Sequence, residues 1–239
     1  MQDKINEMFS RVSKSYDFVN HLLSFNIDKG WRRACAVQVL SGDGSLKILD
    51  IAAGTGDLSI TAAEMAVRRG KTAAIYASDF NKEMLEIAKK KISSMGLGDR
   101  IEIEEGNAFE INHRSGTIDA LMSGFALRSF FFSDGTGENM GKFLSEAYRV
   151  IKPGGRAVLL DMALPDRPSQ RAFFRLYSNF MLFAGAFVDR ETYRWLVKTI
   201  TEFDKKRLKS MMEKAGFRNV RITDLKSGIA YLACGEKYS

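Results

Sequence analysis

Apolar residues recur at three- and four-residue steps from Asp3 to Val39, with Phe9, Val12, Tyr16, Val19, Leu22 and Leu23 on one face. That period predicts an amphipathic helical segment ahead of any strand. Leu46 to Ile51 is then a short apolar run between a GlyAspGlySer turn and the small-residue stretch Ala52 to Asp57, which reads as a buried strand entering a tight loop. The two patterns alternate from there. Helices are expected at Leu58 to Arg69, Lys82 to Met95 and Gly141 to Ile151, and strands at Ala73 to Ser78, Ile101 to Glu105, Ile118 to Ser123 and Arg156 to Asp161. Pro153, Gly154 and Gly155 should end one helix and launch the next strand, because proline cannot continue helical hydrogen bonding. Phe130 to Gly141 reads as a glycine-bearing surface loop.

Beyond Asp161 the chain becomes aromatic-rich and helical around Ser169 to Phe183 and Arg190 to Ile200. An amphipathic helix, Asp204 to Ala215, is ended by Gly216, and two strands, Arg218 to Thr223 and Ile229 to Cys234, look like a hairpin at the sheet edge. Strands separated by helices imply parallel pairing with right-handed crossovers. The expected fold is α/β, a doubly wound, seven-stranded, mostly parallel sheet of Rossmann-like type. Residues 1–239 should form one domain, with residues 1–40 as an N-terminal helical lid and residues 165–200 as a helical insertion after the fifth strand.

The 239 residues, 45% hydrophobic and 27% charged, suit a folded chain and exclude intrinsic disorder. Cys35 and Cys234 lie far apart, outside any CxxC or histidine-rich setting, so neither a disulfide framework nor a metal site is expected. The first residues lack a signal-peptide core, and Phe180 to Val188 is too short to span a bilayer, which points to a cytoplasmic protein. The net charge of +7 is compatible with nucleic acid or an anionic membrane. Its carriers (Arg68 and Arg69, Lys89 to Lys91, Lys205 to Arg207) are spread among helix-like stretches and read first as solvated faces.

In an open α/β sheet the ligand lies beyond the carboxyl ends of the strands, at the switch point beside the first strand, so the Asp50 to Asp57 loop is the expected site. Ser59 stands where a dinucleotide fingerprint wants its third glycine, and no phosphate-gripping GxxxxGK[ST] occurs. Asp50 and Asp57 bracket the loop, a poor setting for pyrophosphate and a good one for ammonium or sulfonium charge, both of which S-adenosylmethionine carries. Asp79 ends the second strand, where an acid for ribose hydroxyls belongs. After the third strand, Gly106, Asn107, Ala108 and Phe109 would let backbone approach an adenine. The plainer readings are that Asp79 caps the following helix, that Asp50 is a strand-end acid, and that Gly54 and Gly56 only turn the chain.

These residues resemble the class I S-adenosylmethionine-dependent methyltransferases and, more narrowly, the ubiquinone/menaquinone biosynthesis C-methyltransferases. The resemblance spans nearly the whole chain. It is carried by Leu49 to Asp57, by Tyr16, Asp17, Asn20, Ser24, Trp31 and Arg32, and by Phe125 to Arg128, Tyr148 to Gly155 and Met211 to Phe217. It implies S-adenosylmethionine as methyl donor and a reduced, prenylated quinol ring as acceptor. The cofactor contacts expected are Asp50, Ala52, Gly54, Thr55, Gly56, Asp79, Phe80, Asn107, Ala108 and Ser123. Three departures bear on the acceptor: Ser129 where the family has asparagine, a longer loop after it, and Ala233 where histidine is common. Thr199 also stands for a common serine.

Carbon methylation is an in-line displacement that needs close approach of donor and acceptor and exclusion of water. The resemblance places Arg128 near the acceptor, where an arginine, which holds its proton, would orient water or stabilise phenolate. Tyr16 and Tyr193 are its expected supports, and the competing reading pairs Arg128 with a carboxylate and puts both tyrosines in the core. Neither His21, in the N-terminal lid, nor His113 is an obvious base. Phe173, Phe174, Tyr177, Phe180, Met181, Phe183 and Phe187 read either as core or as a greasy mouth for a prenyl tail. A nucleic-acid methyltransferase is disfavoured, since Ser123, Gly124, Phe125 and Ala126 stand where a [DNS]PP[YF] stretch would follow the fourth strand. Other small aromatic or lipid-like acceptors, and cofactor binding without turnover, stay open. The partners expected are the quinol, peripheral membrane contact and a second copy in a homodimer.

Overall fold

A computed structural model of the chain describes residues 27–185, 189–225 and 228–238. Its elements in chain order are α1 (Ile27–Val39), β1 (Leu46–Ile51), α2 (Asp57–Arg68), β2 (Ala73–Asp79), α3 (Lys82–Ser94), β3 (Ile101–Glu105), β4 (Ile118–Gly124), α4 (Leu127–Phe132), α5 (Glu138–Val150), β5 (Ile151–Met162), α6 (Pro168–Gly185), α7 (Arg190–Glu202), α8 (Lys205–Lys214), β6 (Arg218–Asp224) and β7 (Ala230–Glu236). Seven strands form one sheet in the order β3-β2-β1-β4-β5-β7-β6. The first five run parallel, and β7 is antiparallel to both neighbours. The doubly wound α/β fold expected from the alternation is therefore present.

Both sheet faces are covered, which is why the inner strands read as unbroken apolar runs. On one face Leu46, Ile48, Met122, Val158 and Leu160 join Trp31, Cys35 and Val39 of α1 and Ala62, Ala63 and Ala66 of α2. On the other, Leu49, Ile51, Leu121 and Leu159 join Leu127 of α4, Phe143, Leu144 and Ala147 of α5, and Leu208 and Met212 of α8. Asn81 caps α3 by accepting from Met84 N (3.1 Å), and Asp189 caps α7 by accepting from Glu191 N and Thr192 N. Strand alternation sends neighbouring residues to opposite faces, so the period alone assigns these two cores.

Two expectations are corrected. Pro153, Gly154 and Gly155 lie inside β5 rather than before it. Ile118 pairs with Ile151 and Ala120 with Arg156, so the extra residues bulge out of the β4 ladder. Gly154 N–H then donates to the Lys237 carbonyl (2.7 Å), and Lys237 N–H to Gly155 (2.9 Å), which supplies partners that the local turn signal could not foresee. Second, most of Phe130 to Gly141 is helical. α4 runs to Phe132 and α5 begins at Glu138, and the turn between them is organised by Asp134, which accepts from the Thr136 and Gly137 backbone N–H groups (2.7 and 2.6 Å) and from Asn139. The expected hairpin of the two closing strands is present: β6 and β7 pair antiparallel at the sheet edge, with β7 the inner strand against β5. The N-terminal helical pattern ahead of Ile27, with Tyr16 and His21, falls outside the described residues, as do the side chains of Phe173, Tyr177, Phe180 and Met181, and Phe187.

Candidate active site

β1 and β4 are neighbours, while β2 and β5 lie outward on opposite sides, so the sheet switches direction between them. The loops leaving β1 and β4 meet at this point. Each carries a non-glycine residue with left-handed backbone, Ala52 (φ 57°) after β1 and Phe125 (φ 64°) after β4. Such conformations cost energy and gather where a site over-determines the chain. Phe125 is held by its N–H, which donates to the Leu160 carbonyl (2.7 Å), and by the Arg32 guanidinium 5.6 Å over its ring.

The glycine loop is fastened on all sides. Ala53 N–H donates to the Ser78 carbonyl (3.1 Å), Gly56 N–H to Ala53 (2.9 Å) and Gly54 N–H to Asp79 Oδ2 (2.7 Å). Gly56, at φ 81°, turns the chain into α2, and a Cβ there would stand 3.2 Å from Ala88 Cβ on α3. Glycine is thus required both for the turn and for the approach of two helices.

Asp50 is completely buried at the end of β1. Ser59 Oγ donates to its Oδ2 (2.6 Å), and among the described residues Oδ1 has no hydrogen-bond partner. Burial, reinforced by the Asp79 charge, pushes the Asp50 carboxyl up to about 7 against the Ser59 bond and the Arg32 charge. A buried acid poised this way favours a cationic ligand, which would restore its charged form. Ser123, at the same end of β4, is also fully buried, and its Oγ has no partner among the described residues. Asp57 differs from the expectation that it brackets the ligand with Asp50, because Lys91 pairs with it and Arg32 Nη2 lies 3.4 Å away. Its charge answers those cations.

Asp79 is 6% exposed and accepts from Asn81 N–H through Oδ1 (2.8 Å) as well as from Gly54. Burial raises its carboxyl despite these bonds. Asn81, not Asp79, caps α3, which removes the plainer reading of that acid. A carboxylate has about four acceptor positions, so the Gly54, Phe80 and Asn81 N–H groups leave Asp79 with acceptor capacity to spare. Thr55 is buried with Oγ1 3.4 Å from Lys91 Nζ, whereas Phe80 is half-exposed beside Asp79. Asn107 is exposed with its Oδ1 accepting from Phe109 N (2.9 Å), and Ala108 is half-buried against the core.

On the β4 and β5 side, Arg128 is 2% exposed. Its Nε donates to Asp161 Oδ1 (2.7 Å), its backbone N–H to Asp161 Oδ2 (3.1 Å) and its Nη1 to Thr199 Oγ1 (3.3 Å). The pairing of Arg128 with a carboxylate is therefore present, and Asp161 is a residue that pattern reading missed, although an acid closing the apolar run of β5 was a visible signal. Tyr193 is buried in the first turn of α7. The expected set thus divides: Asp50, Ala52, Gly54, Thr55, Gly56, Asp79 and Ser123 cluster at the switch point, Arg128 sits beside it, and Tyr16 lies outside the described residues. Among the described residues, no group of three or more His, Cys, Asp or Glu side chains is placed to hold a metal ion.

The donor set fits S-adenosylmethionine: a buried carboxylate with one unpartnered oxygen for cationic charge, a second carboxylate for ribose hydroxyls, and a backbone loop that lets a ligand approach. Comparison with known proteins agrees. The chain is 36% identical over 243 residues to a demethylmenaquinone methyltransferase of Deinococcus radiodurans, covering 99% of this chain and 95% of that one. It is 33% identical over 238 residues to a ubiquinone/menaquinone biosynthesis C-methyltransferase, UbiE, of Geotalea uraniireducens, covering 98% and 97%. The crystal structure of a candidate S-adenosyl-L-methionine-dependent methyltransferase from Methanococcus maripaludis shares the fold, with a TM-score of 0.67 at 22% identity, over 95% of this chain and 92% of that one. The model of the ubiE/COQ5 methyltransferase family matches residues 1–237, so the chain belongs to that family and is an S-adenosylmethionine-dependent methyltransferase.

Proposed function

We propose that this enzyme methylates a ring carbon of a reduced, prenylated quinone precursor of the demethylmenaquinol type. The observation that carries the reading is the near full-length similarity to relatives named for that chemistry. Bound at the switch point, S-adenosylmethionine supplies a methyl group on a positively charged sulfur, which keeps the bonding electron pair as the methyl moves to carbon. Asp50, with Ser123 alongside, holds the cationic end, Asp79 holds the ribose, and Ala52, Gly54, Thr55 and Gly56 line the approach. Phe80, Asn107 and Ala108 border the base. Arg128 orients the acceptor by attracting a phenolate oxygen, which enriches the ring carbon that attacks, and Tyr193, with Tyr16, supports that side. Once the new carbon–carbon bond has formed, the ring proton leaves to water.

A prenylated acceptor has to be drawn from a lipid phase. The exposed face of α6 supports peripheral contact: Leu176 and Phe183, seven residues apart on one stripe, are 71% and 68% exposed, Arg171 and Arg175 flank them, and no acid occurs from 167 to 185. Among the described residues no helix is long and apolar enough to cross a membrane. Ser129 beside Arg128 favours, as a second reading, a different aromatic acceptor. The test is calorimetric titration with S-adenosylmethionine followed by turnover with chemically reduced demethylmenaquinone. Micromolar cofactor binding with methylated product supports the proposal, and binding with no turnover of the quinol sinks the acceptor.

A further inference from the structure

An ion pair as dry as Arg128 and Asp161 is seldom retained for stability, because desolvating two charges usually costs what their attraction returns and apolar residues of equal volume serve as well. The side chains here are 3% and 0% exposed. They come from different elements: Asp161 from the carboxyl end of β5, Arg128 from the start of α4, which follows β4. Asp161 also accepts from Met162 N–H (2.7 Å), so two backbone donors, Met162 N–H and Arg128 N–H, fix the carboxylate that meets the guanidinium. Thr199 fixes the other side. Its hydroxyl donates to the Leu196 carbonyl (3.0 Å), which aims a lone pair at Arg128 Nη1.

The guanidinium is thereby held along two of its three nitrogens, and among the described residues Nη2 has no hydrogen-bond partner. Opposite Asp161 in the β5–β7 register is Tyr231, 1% exposed, whose hydroxyl also has no hydrogen-bond partner among the described residues and stays neutral because burial and the Asp161 charge raise its proton affinity. Arg128 is the only cation paired with Asp161 among the described residues. We infer that Asp161, with Thr199, is a positioning residue for methyl transfer: it presents Arg128 Nη2 as a fixed donor to the acceptor's phenolate oxygen. This rests on the quinol reading above, in which Arg128 orients the acceptor.

The test compares wild type, Asp161→Asn and Thr199→Val, the second variant removing the acceptor for Nη1 at constant volume. Cofactor affinity is measured first by calorimetry, and among the described residues no hydrogen bond or ion pair joins these side chains to the glycine loop, so it should be unchanged. Steady-state methylation of reduced demethylmenaquinone with a short prenyl chain is then followed against pH. Asp161→Asn should lower kcat by about a hundredfold, leave the KM for quinol nearly constant and move the ascending limb of the pH profile upward, since the phenolate loses its fixed partner. Thr199→Val should act in the same direction by about tenfold, and it decides the matter if Asp161→Asn does not fold. Wild-type kcat in both variants, or a loss that tracks thermal stability with an unmoved pH limb, overturns the assignment. Wild-type protein that binds S-adenosylmethionine yet leaves the quinol unmethylated overturns the proposed acceptor itself, and this assignment with it.

Discussion

Asp50 and Asp79 sit one strand apart at the same end of the sheet, yet they serve the site in different ways. Asp79 is anchored by backbone donors, whereas Asp50 keeps one oxygen unsatisfied and its carboxyl at about 7, against 3.8 for an unburied aspartate. Below about pH 4 Asp50 is protonated whether the chain is folded or not. Between there and about 7 the unfolded chain gives up the proton that the folded one keeps, so stability falls as pH rises, by up to about 4 kcal/mol. Asp50→Asn should therefore melt higher than wild type at pH 8 and equally at pH 4 in calorimetric scans, while binding S-adenosylmethionine at least about tenfold more weakly. Because a cationic ligand draws Asp50 into its charged form, wild-type binding at pH 6.5 should release protons, seen as a dependence of the binding heat on the buffer. Asp79→Asn should weaken cofactor binding about ten- to a hundredfold, the worth of a charged hydrogen-bond partner, and a smaller loss would deny the ribose role.

The glycine loop was legible at the level of elements because buried parallel strands read as apolar runs, and the acids Asp50 and Asp79 close two of them. Asp161 closes a third, but its partner Arg128 is 33 residues away and reaches it only through the pairing of β4 with β5, which no local pattern encodes. Pro153 to Gly155 misled for the opposite reason: its local signal is strong, and pairing with Lys237 overrides it. Gly155 shows how tightly that bulge is built, since a Cβ there would lie 2.7 Å from the Asp119 carbonyl and from Ile151 Cγ2. Gly155→Ala should lower stability by about 1–3 kcal/mol in urea titrations, with cofactor affinity unchanged in the remaining folded protein. The helical start of α5 was likewise hidden, because Asp134 gathers its N–H donors from across the turn rather than from the residue just before the helix.

For the molecule as a whole, the proposed cofactor residues come from the β1, β2 and β4 ends and the proposed acceptor residues from β4, β5 and α7, an arrangement in which the two substrates would meet over the middle of the sheet. If a lipid surface delivers the acceptor, replacing Leu176 and Phe183 by Asp should reduce co-sedimentation with anionic vesicles severalfold and leave cofactor binding intact, and equal sedimentation would exclude this face. The sheet order carries a different consequence, for the birth of the chain. β7 follows β6 in synthesis but lies between β5 and β6. Until it arrives, β6 has no neighbour and the outer edge of β5, with Asp161 on it, stands open to water. The half of the sheet proposed to hold the nucleoside can assemble on the ribosome earlier, and the half proposed to face the acceptor is completed only when Tyr231 pairs beside Asp161. A nascent chain would thus acquire its donor pocket before it could enclose anything to methylate.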